Sequence, residues 1–462
     1  MIKINKPLAI AKMLSPAEWT DRNPGIVKGS GMQLWLIPTL YAIASVAAGF
    51  LVPRLESTFL AVSLNLSTSS AQAYLSAVAS GMMALTGIVF SIAFVLVQFN
   101  AVVYSPRLVV WFARDRLLFH SLGMFVATFM YSLSTLAWVD REGAQGVPFL
   151  SAAIVAAMLV SSVLMLAQLV QRLNNLQIMR VLQALGDTGR QVIVSTYQST
   201  PWPTSGKAAR AQEHGYSAEL TVKHVGKPQS VTSIDIAKLV DHARRLNGLI
   251  VIECGVGDTL LEDSVILHAQ GTTTLVPEKE LSACVHLDEQ RTFEQDPKYA
   301  VRLLVDVAIK ALSPAINDPT TAVQAIDQIE DLLRRLAKCD LEARRAFDEG
   351  GILRVVYRMP TWEDYLSLAF DEIRQFGSTS IQVMRRLRAA LVELAECVHG
   401  ERAKLVRAYL NHLDSGIERS SFDPQDRAAA RIEDRRGLGL PHHHGAGAAS
   451  PAGSDEKGRA VS

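Results

Sequence analysis

The sequence predicts a mainly α-helical membrane protein, in which a four-helix transmembrane bundle precedes a cytoplasmic α+β domain. Two observations support this fold class. Long apolar segments lie close together between residues 32 and 170, separated only by short polar connections. From Gln171 onward the chain has the mixed charged and apolar composition of a soluble protein. This soluble part should combine a small α/β module with a helical C-terminal part.

Each apolar segment is long enough to cross a bilayer, which takes roughly 20 mostly apolar residues for about 30 Å of hydrocarbon. The segments should be helices, because a helix satisfies its own backbone hydrogen bonds in lipid. None of them contains Asp, Glu, Lys or Arg, whereas ion-coupled pumps place such residues near the midplane. The sequence therefore gives no sign of a proton-coupled pump. We predict a transmembrane domain over residues 32–170, with helices at about 32–51, 74–98, 117–138 and 147–170.

The distribution of basic residues beside the helices predicts that both termini lie in the cytoplasm. Positive charge collects in the cytoplasmic segments of membrane proteins. The N-terminal segment 1–31 and the connection between helices two and three are rich in Lys and Arg. The connections after helices one and three offer only Arg54 and Arg141. This alternation assigns the N-terminal segment and the large C-terminal part to the same, cytoplasmic side.

The connection between helices two and three has the pattern of a short interfacial helix. Its arginines would reach the lipid headgroups, while a tryptophan and its apolar neighbours would face the acyl chains. Amphipathic segments of this composition lie in the plane of the membrane surface. The alternative interpretation is a plain cytoplasmic loop. We predict as interfacial anchors Arg107, Trp111, Arg114 and Arg116.

A stripe of small and polar residues runs along one face of helix two. Small residues let helices approach closely in lipid, so the stripe could pack against other helices of the bundle. Alternatively it could line a pore, which requires several copies of the chain or several helices around one axis. The members recur at intervals of three or four, apart from a last gap of seven: Ser76, Ser80, Ala84, Gly87, Ser91 and Gln98.

The soluble part divides into four regions. Residues 171–216 should form a helical extension of helix four and a linker, and residues 217–290 a small α/β module. Residues 291–415 have the apolar periodicity of a helical domain. Residues 416–462 should form a charged, largely disordered tail, because the end of the chain is rich in Gly, Ala, Pro and Ser.

Two helix ends in the soluble part are marked by their residues. Gly248 is suited to end the helix of the α/β module, because glycine readily adopts the left-handed conformation that follows many helices. Asp318 can cap a helix that begins with Pro319, whose missing N–H is not needed at the first helical position. Turn and cap roles therefore explain Asn317 and Asp318 better than a catalytic role does.

The sequence shows no motif for catalysis or cofactor binding. It lacks a phosphate-binding glycine loop, a zinc-protease helix, a nucleophile elbow and a dinucleotide fingerprint. The four cysteines are widely spaced, which argues against a zinc site and a disulfide framework. The formal net charge is +1, with no clustered basic face for nucleic acid. We therefore predict no enzyme activity, no cofactor, no metal and no nucleic-acid partner.

Several segments resemble a known protein family. They are residues 80–92 and 104–108 in the membrane half, and residues 291–297, 304–308 and 311–323 in the soluble half. Together they resemble the bacterial predicted membrane proteins grouped as domain of unknown function 2254. The last segment, which contains the sequence Asn-Asp-Pro, is the most specific. The resemblance implies the topology above and a bacterial inner membrane, and it assigns no functional residue.

Two functions from different classes remain open. In the first, the chain forms a homo-oligomer, the stripe on helix two lines or gates a permeation path, and the cytoplasmic domain regulates that path. In the second, the helices only anchor a cytoplasmic sensor or scaffold that binds an unidentified ligand or protein partner. We favour the oligomeric channel-like or transport-related function, because four helices with a small-residue face are more than an anchor needs.

Overall fold

The structure of the chain is a computed structural model. It describes residues 35–59, 63–64, 67–103, 116–139, 147–174, 178–198, 219–271, 276–293, 295–341 and 344–439. Four helices in its N-terminal part are long and apolar enough to cross a membrane, and a domain with small sheets and C-terminal helices follows them. This arrangement confirms the predicted fold class.

The membrane helices run beyond most of their predicted limits. Helix two is the longest, with 36 residues. At 1.5 Å per residue it measures about 54 Å, well beyond the roughly 30 Å of a hydrocarbon core, so one of its ends projects from the bilayer. The four helices are α1 (Leu36–Phe59), α2 (Thr68–Val103), α3 (Arg116–Val139) and α4 (Phe149–Asn174).

The central helix of the bundle is α3, which packs against α1, α2 and α4. Of its apolar span 50% is buried, compared with 22% in α1 and α2 and 17% in α4. Two glycines allow α1 and α3 to approach each other closely. A Cβ added at Gly49 would lie 2.5 Å from the Cβ of Ser134, and one at Gly123 would lie 2.9 Å from the ring of Tyr41. Small residues therefore mediate packing in this bundle, as in other membrane helices.

The first membrane helix differs from its prediction in one consequential way. It does not end near residue 51 but continues to Phe59, and it therefore includes Arg54 and Glu56. These two charged residues lie at the end of the apolar span of α1, and not in its interior. Glu56 is buried, with 3% of its surface exposed. The helix was predicted to end too early because the hydropathy falls at Pro53, although the helix continues through this proline.

Helices of the soluble domain make up most of its core. The helix α5 follows α4, as predicted for the helical extension, and packs against α8 and α9. The helix α8 also contacts α2, so the soluble domain touches the membrane helices. In chain order the helices are α5 (Ile178–Ile193), α6 (Ile236–Arg245), α7 (Glu278–Ser282), α8 (Pro297–Ala311), α9 (Pro319–Leu336), α10 (Trp362–Phe376), α11 (Ile381–Cys397), α12 (Gly400–Glu418) and α13 (Pro424–Ala430).

The strands form three sheets. The short strands β1 (Ser63–Leu64) and β2 (Val147–Pro148) pair antiparallel, and they join the α1–α2 and α3–α4 connections at the end of the bundle away from the soluble domain. The module contains a five-stranded sheet of order β3-β7-β5-β10-β9 and a three-stranded sheet of order β6-β4-β8. Its strands are β3 (Glu219–Lys223), β4 (Gln229–Ile234), β5 (Leu249–Ile252), β6 (Thr259–Leu260), β7 (Val265–Gln270), β8 (Val285–Asp288), β9 (Arg344–Phe347) and β10 (Leu353–Tyr357).

The boundary that we predicted between the α/β module and the helical domain is not a structural one. The hairpin β9–β10 lies within the region expected to be helical, yet β10 pairs in parallel with β5, with Val355 opposite Ile250. The module is thus completed by residues about one hundred positions further along the chain. The helical domain and the module therefore share one sheet.

The end of α6 also differs from its prediction. Asn247, not Gly248, takes the left-handed conformation, with φ 46°. Gly248 is required for another reason, because a Cβ at this position would lie 1.6 Å from the carbonyl oxygen of Gln270. The glycine therefore allows the chain to enter β5 directly beside β7.

Three helices of the soluble domain start with the same two-residue signal, an aspartate cap followed by proline. The predicted cap at Asp318 is confirmed, since its carboxylate accepts hydrogen bonds from the backbone N–H and the hydroxyl of Thr321, at 3.1 and 2.6 Å. Asp296 caps α8 and Asp423 caps α13 in the same manner. Proline fixes φ at the first helical position and needs no acceptor there.

The region after residue 415, predicted to be largely disordered, is ordered as far as Gly439. The helix α12 continues to Glu418, and α13 follows it. Asp434, which is 1% exposed, accepts hydrogen bonds from the backbone N–H groups of Arg436, Gly437 and Gly439. A buried carboxylate that organises its own turn was not visible in the composition of the tail. Residues 440–462 lie outside the described residues.

Candidate functional site

The stripe predicted on helix two lies along a face of α2 that the described residues of the chain leave uncovered. At 100° per residue its members fall within an arc of about 80°. All six are exposed: Ser76, Ser80, Ala84, Gly87, Ser91 and Gln98. A Cβ added at Gly87 would meet no atom within 4 Å. Among the described residues, no other helix of the same chain packs on this stripe.

The uncovered face forms one wall of a groove with a volume of about 610 Å³. The α2 wall consists of small residues and Met83, while the α3 wall consists of Phe129, Leu133 and Leu136. Further along the stripe, the hydroxyl of Ser91 donates to the carbonyl oxygen of Gly87 at 2.9 Å. The groove is thus lined by small side chains on one side and by apolar side chains on the other. Such a surface suits close contact with another helix.

The polar residues that the bundle buries belong mainly to α3. Thr128 is fully buried, and its hydroxyl lies 3.0 Å from the hydroxyl of Ser162 on α4. Tyr131, Ser132 and Thr135 are also buried, and their hydroxyls have no hydrogen-bond partner among the described residues. Buried hydroxyls without partners are rare in proteins. The helix α3 therefore carries much of the polar surface that the bundle buries.

Glu56 is the ionisable group that sequence reasoning missed. Its carboxylate accepts hydrogen bonds from the backbone N–H of Leu150 at 2.6 Å and of Ser151 at 3.2 Å. The Ser151 hydroxyl donates to the same carboxylate at 3.3 Å. These donors lie in the first turn of α4, so Glu56 caps α4 from the end of α1. No local sequence pattern indicates this cap, because Glu56 and the donor Leu150 are 94 residues apart in the chain.

Most of the predicted interfacial anchors lie outside the residues that the structure describes. Arg107, Trp111 and Arg114 lie outside the described residues. Arg116 is the first residue of α3, and its side chain is likewise not described. The prediction of an interfacial helix between α2 and α3 therefore stays a prediction.

A second buried carboxylate, that of Asp296, lies where the α/β module meets the helical domain. Its Oδ1 accepts from the backbone N–H of Tyr299 at 3.3 Å, while its Oδ2 has no partner among the described residues. A Cβ added at Gly257 in the module would lie 2.3 Å from this Oδ2. Burial raises the pKa of Asp296 from 3.8 to about 6, against the opposing charges of Lys298 and Arg291.

A pair of tyrosines connects the same region to the chain segment that leaves the membrane. The hydroxyls of Tyr197 and Tyr365 lie 2.9 Å apart and are buried. Tyr197 belongs to a π-helical turn, Val194–Gln198, that directly follows α5. Burial raises the pKa of Tyr365 well above 10, and the negative charge of Asp296 acts in the same direction. The α4–α5 segment is therefore tied to α10 and, through it, to the Asp296 region.

The soluble domain also buries an ion-pair network. Arg386, which is 6% exposed, donates to Asp327 and to Glu330, both at 2.6 Å. Glu330 and Glu393 both pair with Arg334. These charges hold α9 against α11 and do not converge on an open space. Among the described residues, no three His, Cys, Asp or Glu side chains are grouped as a metal site would require.

The chain matches a family model over residues 32–393, and the family is described as a predicted membrane protein, domain of unknown function 2254. The chain belongs to this family. The match includes the four membrane helices, the uncovered stripe, Glu56 and both the Asp296 and Asp318 caps. The domain of unknown function 2254 ends before α12, so α12, α13 and the ordered C-terminal segment lie outside the match.

Relatives of the chain occur in mycobacteria. Uncharacterised proteins of Mycobacterium bovis and Mycobacterium tuberculosis strain H37Rv are each 28% identical to it over 439 residues. The aligned region covers 92% of this chain and 81% of each relative. No solved structure matches the chain.

Proposed function

We propose that this chain is one subunit of a homo-oligomeric, channel-like or transport-related protein of the bacterial inner membrane. Both termini lie in the cytoplasm, and the soluble domain regulates the membrane part. One observation carries the proposal: the small-residue face of α2 is left uncovered by the part of the chain that the structure describes. A face of this type stabilises a membrane protein when a second helix packs on it.

The position of α2 in the bundle supports contact between copies. The helix packs on α3 with one side, and the stripe lies on its exposed side, where part of it lines the groove between α2 and α3. A second copy that inserted an α2 or α4 into this groove would bury small residues against small residues. Repetition of such contacts around an axis would bring several α2 helices together, which is the arrangement that a pore requires.

The connection between membrane and soluble parts supports regulation. Gly189 of α5 packs so closely against α9 that an added Cβ would lie 2.8 Å from Leu332. The Tyr197–Tyr365 contact extends this connection to α10, and α8 touches α2. A ligand that shifted α8 would therefore act on α2 through the direct contact of these two helices.

A membrane-anchored sensor or scaffold is the second candidate, and a specific observation favours it. The α3 wall of the groove is apolar, and Ser91 donates to its own helix, so the stripe offers little to a hydrated ion. In that case oligomers form through the groove, yet no path runs along it, and the soluble domain binds the ligand or partner.

The test combines oligomeric mass with ion flux. The full chain is purified, its mass in detergent is measured, and K⁺ flux is recorded in liposomes. We expect an oligomer with flux that Gly87→Leu and Ser91→Leu alter. The matched control is Gly81→Leu, the same substitution on α2 at another exposed position where a Cβ meets no atom within 4 Å.

The outcomes separate the two candidates. A monomer without flux contradicts the channel-like function and directs the search to a ligand of the soluble domain. An oligomer that keeps normal flux with both Gly87→Leu and Ser91→Leu shows that α2 does not line the path. Loss of the oligomer with Gly87→Leu, but not with Gly81→Leu, identifies the groove as the contact between copies.

A further inference from the structure

The end of the bundle away from the soluble domain contains a buried cluster of oxygen atoms. It comprises the Glu56 carboxylate from α1, the Tyr131 and Thr135 hydroxyls from α3, and the Ser151 hydroxyl from α4. None of these four residues exposes more than 3% of its surface. Three helices therefore converge on one small polar site inside an otherwise apolar bundle.

The cluster is incompletely bonded. The Tyr131 hydroxyl interacts with Ser151, Thr135 and Glu56, yet none of its contacts, and none of those of the Thr135 hydroxyl, has both the distance and the angle of a hydrogen bond among the described residues. Glu56 is fully explained as a cap, but a cap needs neither a phenol nor a threonine hydroxyl beside it. Buried polar atoms of this kind indicate an ion or a water that completes their coordination.

The chemistry of the cluster selects the ligand. Its donor atoms are all oxygen, which hard cations prefer to nitrogen or sulfur. One carboxylate supplies a single negative charge, and the N–H groups at the start of α4 offset part of it. The site therefore suits a monovalent cation better than a divalent one. The two unbonded hydroxyls each offer oxygen lone pairs without first breaking a hydrogen bond.

We infer that Glu56, Tyr131, Thr135 and Ser151 bind one monovalent alkali cation, Na⁺ or K⁺, at this end of the bundle. The cation joins α1, α3 and α4 next to the β1–β2 pairing and stabilises the folded bundle. The inference does not depend on the channel-like function, because all four residues belong to one chain. Failure of ion flux would leave it standing.

The experiment measures thermal unfolding of the full chain in detergent at constant ionic strength and pH. NaCl, KCl and choline chloride are compared, since choline is too large for the site. The wild type should unfold at a higher temperature in the salt of the bound cation, with a shift that saturates with concentration. The salt that gives the shift distinguishes Na⁺ from K⁺.

Tyr131→Phe is the decisive variant, because it removes a ligand atom and leaves the Glu56 cap intact. It should weaken the apparent affinity for the cation by roughly tenfold, which corresponds to loss of one ligand contact. Thr135→Val should act in the same direction. The matched control is Thr86→Val, because the Thr86 hydroxyl already donates to the carbonyl oxygen of Met82 at 2.7 Å.

A different result would overturn the inference. If the hydroxyls only hold a water molecule, the wild type unfolds at the same temperature in all three salts. If they are unsatisfied, Tyr131→Phe also raises the unfolding temperature equally in each salt. A salt-dependent shift that Tyr131→Phe and Thr135→Val leave unchanged would place the cation elsewhere and equally refute the assignment.

Discussion

Replacement of Asp296 with Asn should change how the stability of the soluble domain depends on pH. The folded chain raises the pKa of this carboxyl from 3.8 to about 6 through burial. The folded state therefore binds the proton more tightly than the unfolded state does. Stability falls as the pH rises from about 4 to about 6, and the full penalty remains at neutral pH.

The magnitude follows from the two pKa values. The difference between 3.8 and about 6 corresponds to about 3 kcal/mol of lost stability above pH 6. Asn keeps an oxygen that can cap Tyr299, and it carries no charge to desolvate. Any constant effect of the amide cancels when two pH values are compared. The unfolding temperature of Asp296→Asn relative to wild type should rise by roughly 6–12 °C between pH 4 and pH 7.5.

The assay is thermal unfolding of the full chain in detergent, followed through the transition of the soluble domain at several pH values. The matched control is Asp318→Asn, which alters the same Asp-Pro cap at a partly exposed position where both carboxylate oxygens have partners. Parallel pH curves for wild type and Asp296→Asn would refute the reasoning, because they would mean that Asp296 titrates alike in the folded and unfolded chain.

Three further predictions concern other regions. A maleimide should label one thiol per native chain, that of Cys397, because the other three cysteines are buried. Burial also raises the pKa of Cys254 to about 12. The variant Cys397→Ser should therefore not be labelled until denaturant is added. Asp434→Ala should release the segment after α13, since three backbone N–H groups lose their acceptor, and limited proteolysis should then cut between Arg431 and Gly439, where the wild type resists cleavage. Gly189→Leu should lower stability by about 1–3 kcal/mol through overpacking against Leu332, whereas Gly416→Leu, whose added Cβ meets no atom closer than 3.8 Å, should not.

The elements that could be predicted from the sequence are those with local causes. Four apolar runs of sufficient length must be membrane helices, and the structure contains them. The Asp318-Pro319 cap was likewise predictable, because cap and helix start are adjacent in the chain. The stripe on α2 could be recognised from its spacing alone, although not whether its own chain covers it.

Tertiary structure alone decided the features that depend on residues far apart in the chain. Glu56 caps a helix that begins 93 positions later, and β10 completes a sheet with β5 across about one hundred residues. Asp296 acquires its raised pKa from burial beside Gly257, which no local pattern encodes. The uncovered face of α2 follows from the central position of α3, which packs on only one side of it. Hydropathy reports the environment that a segment prefers, whereas the partner of each face is set by which helices pack together.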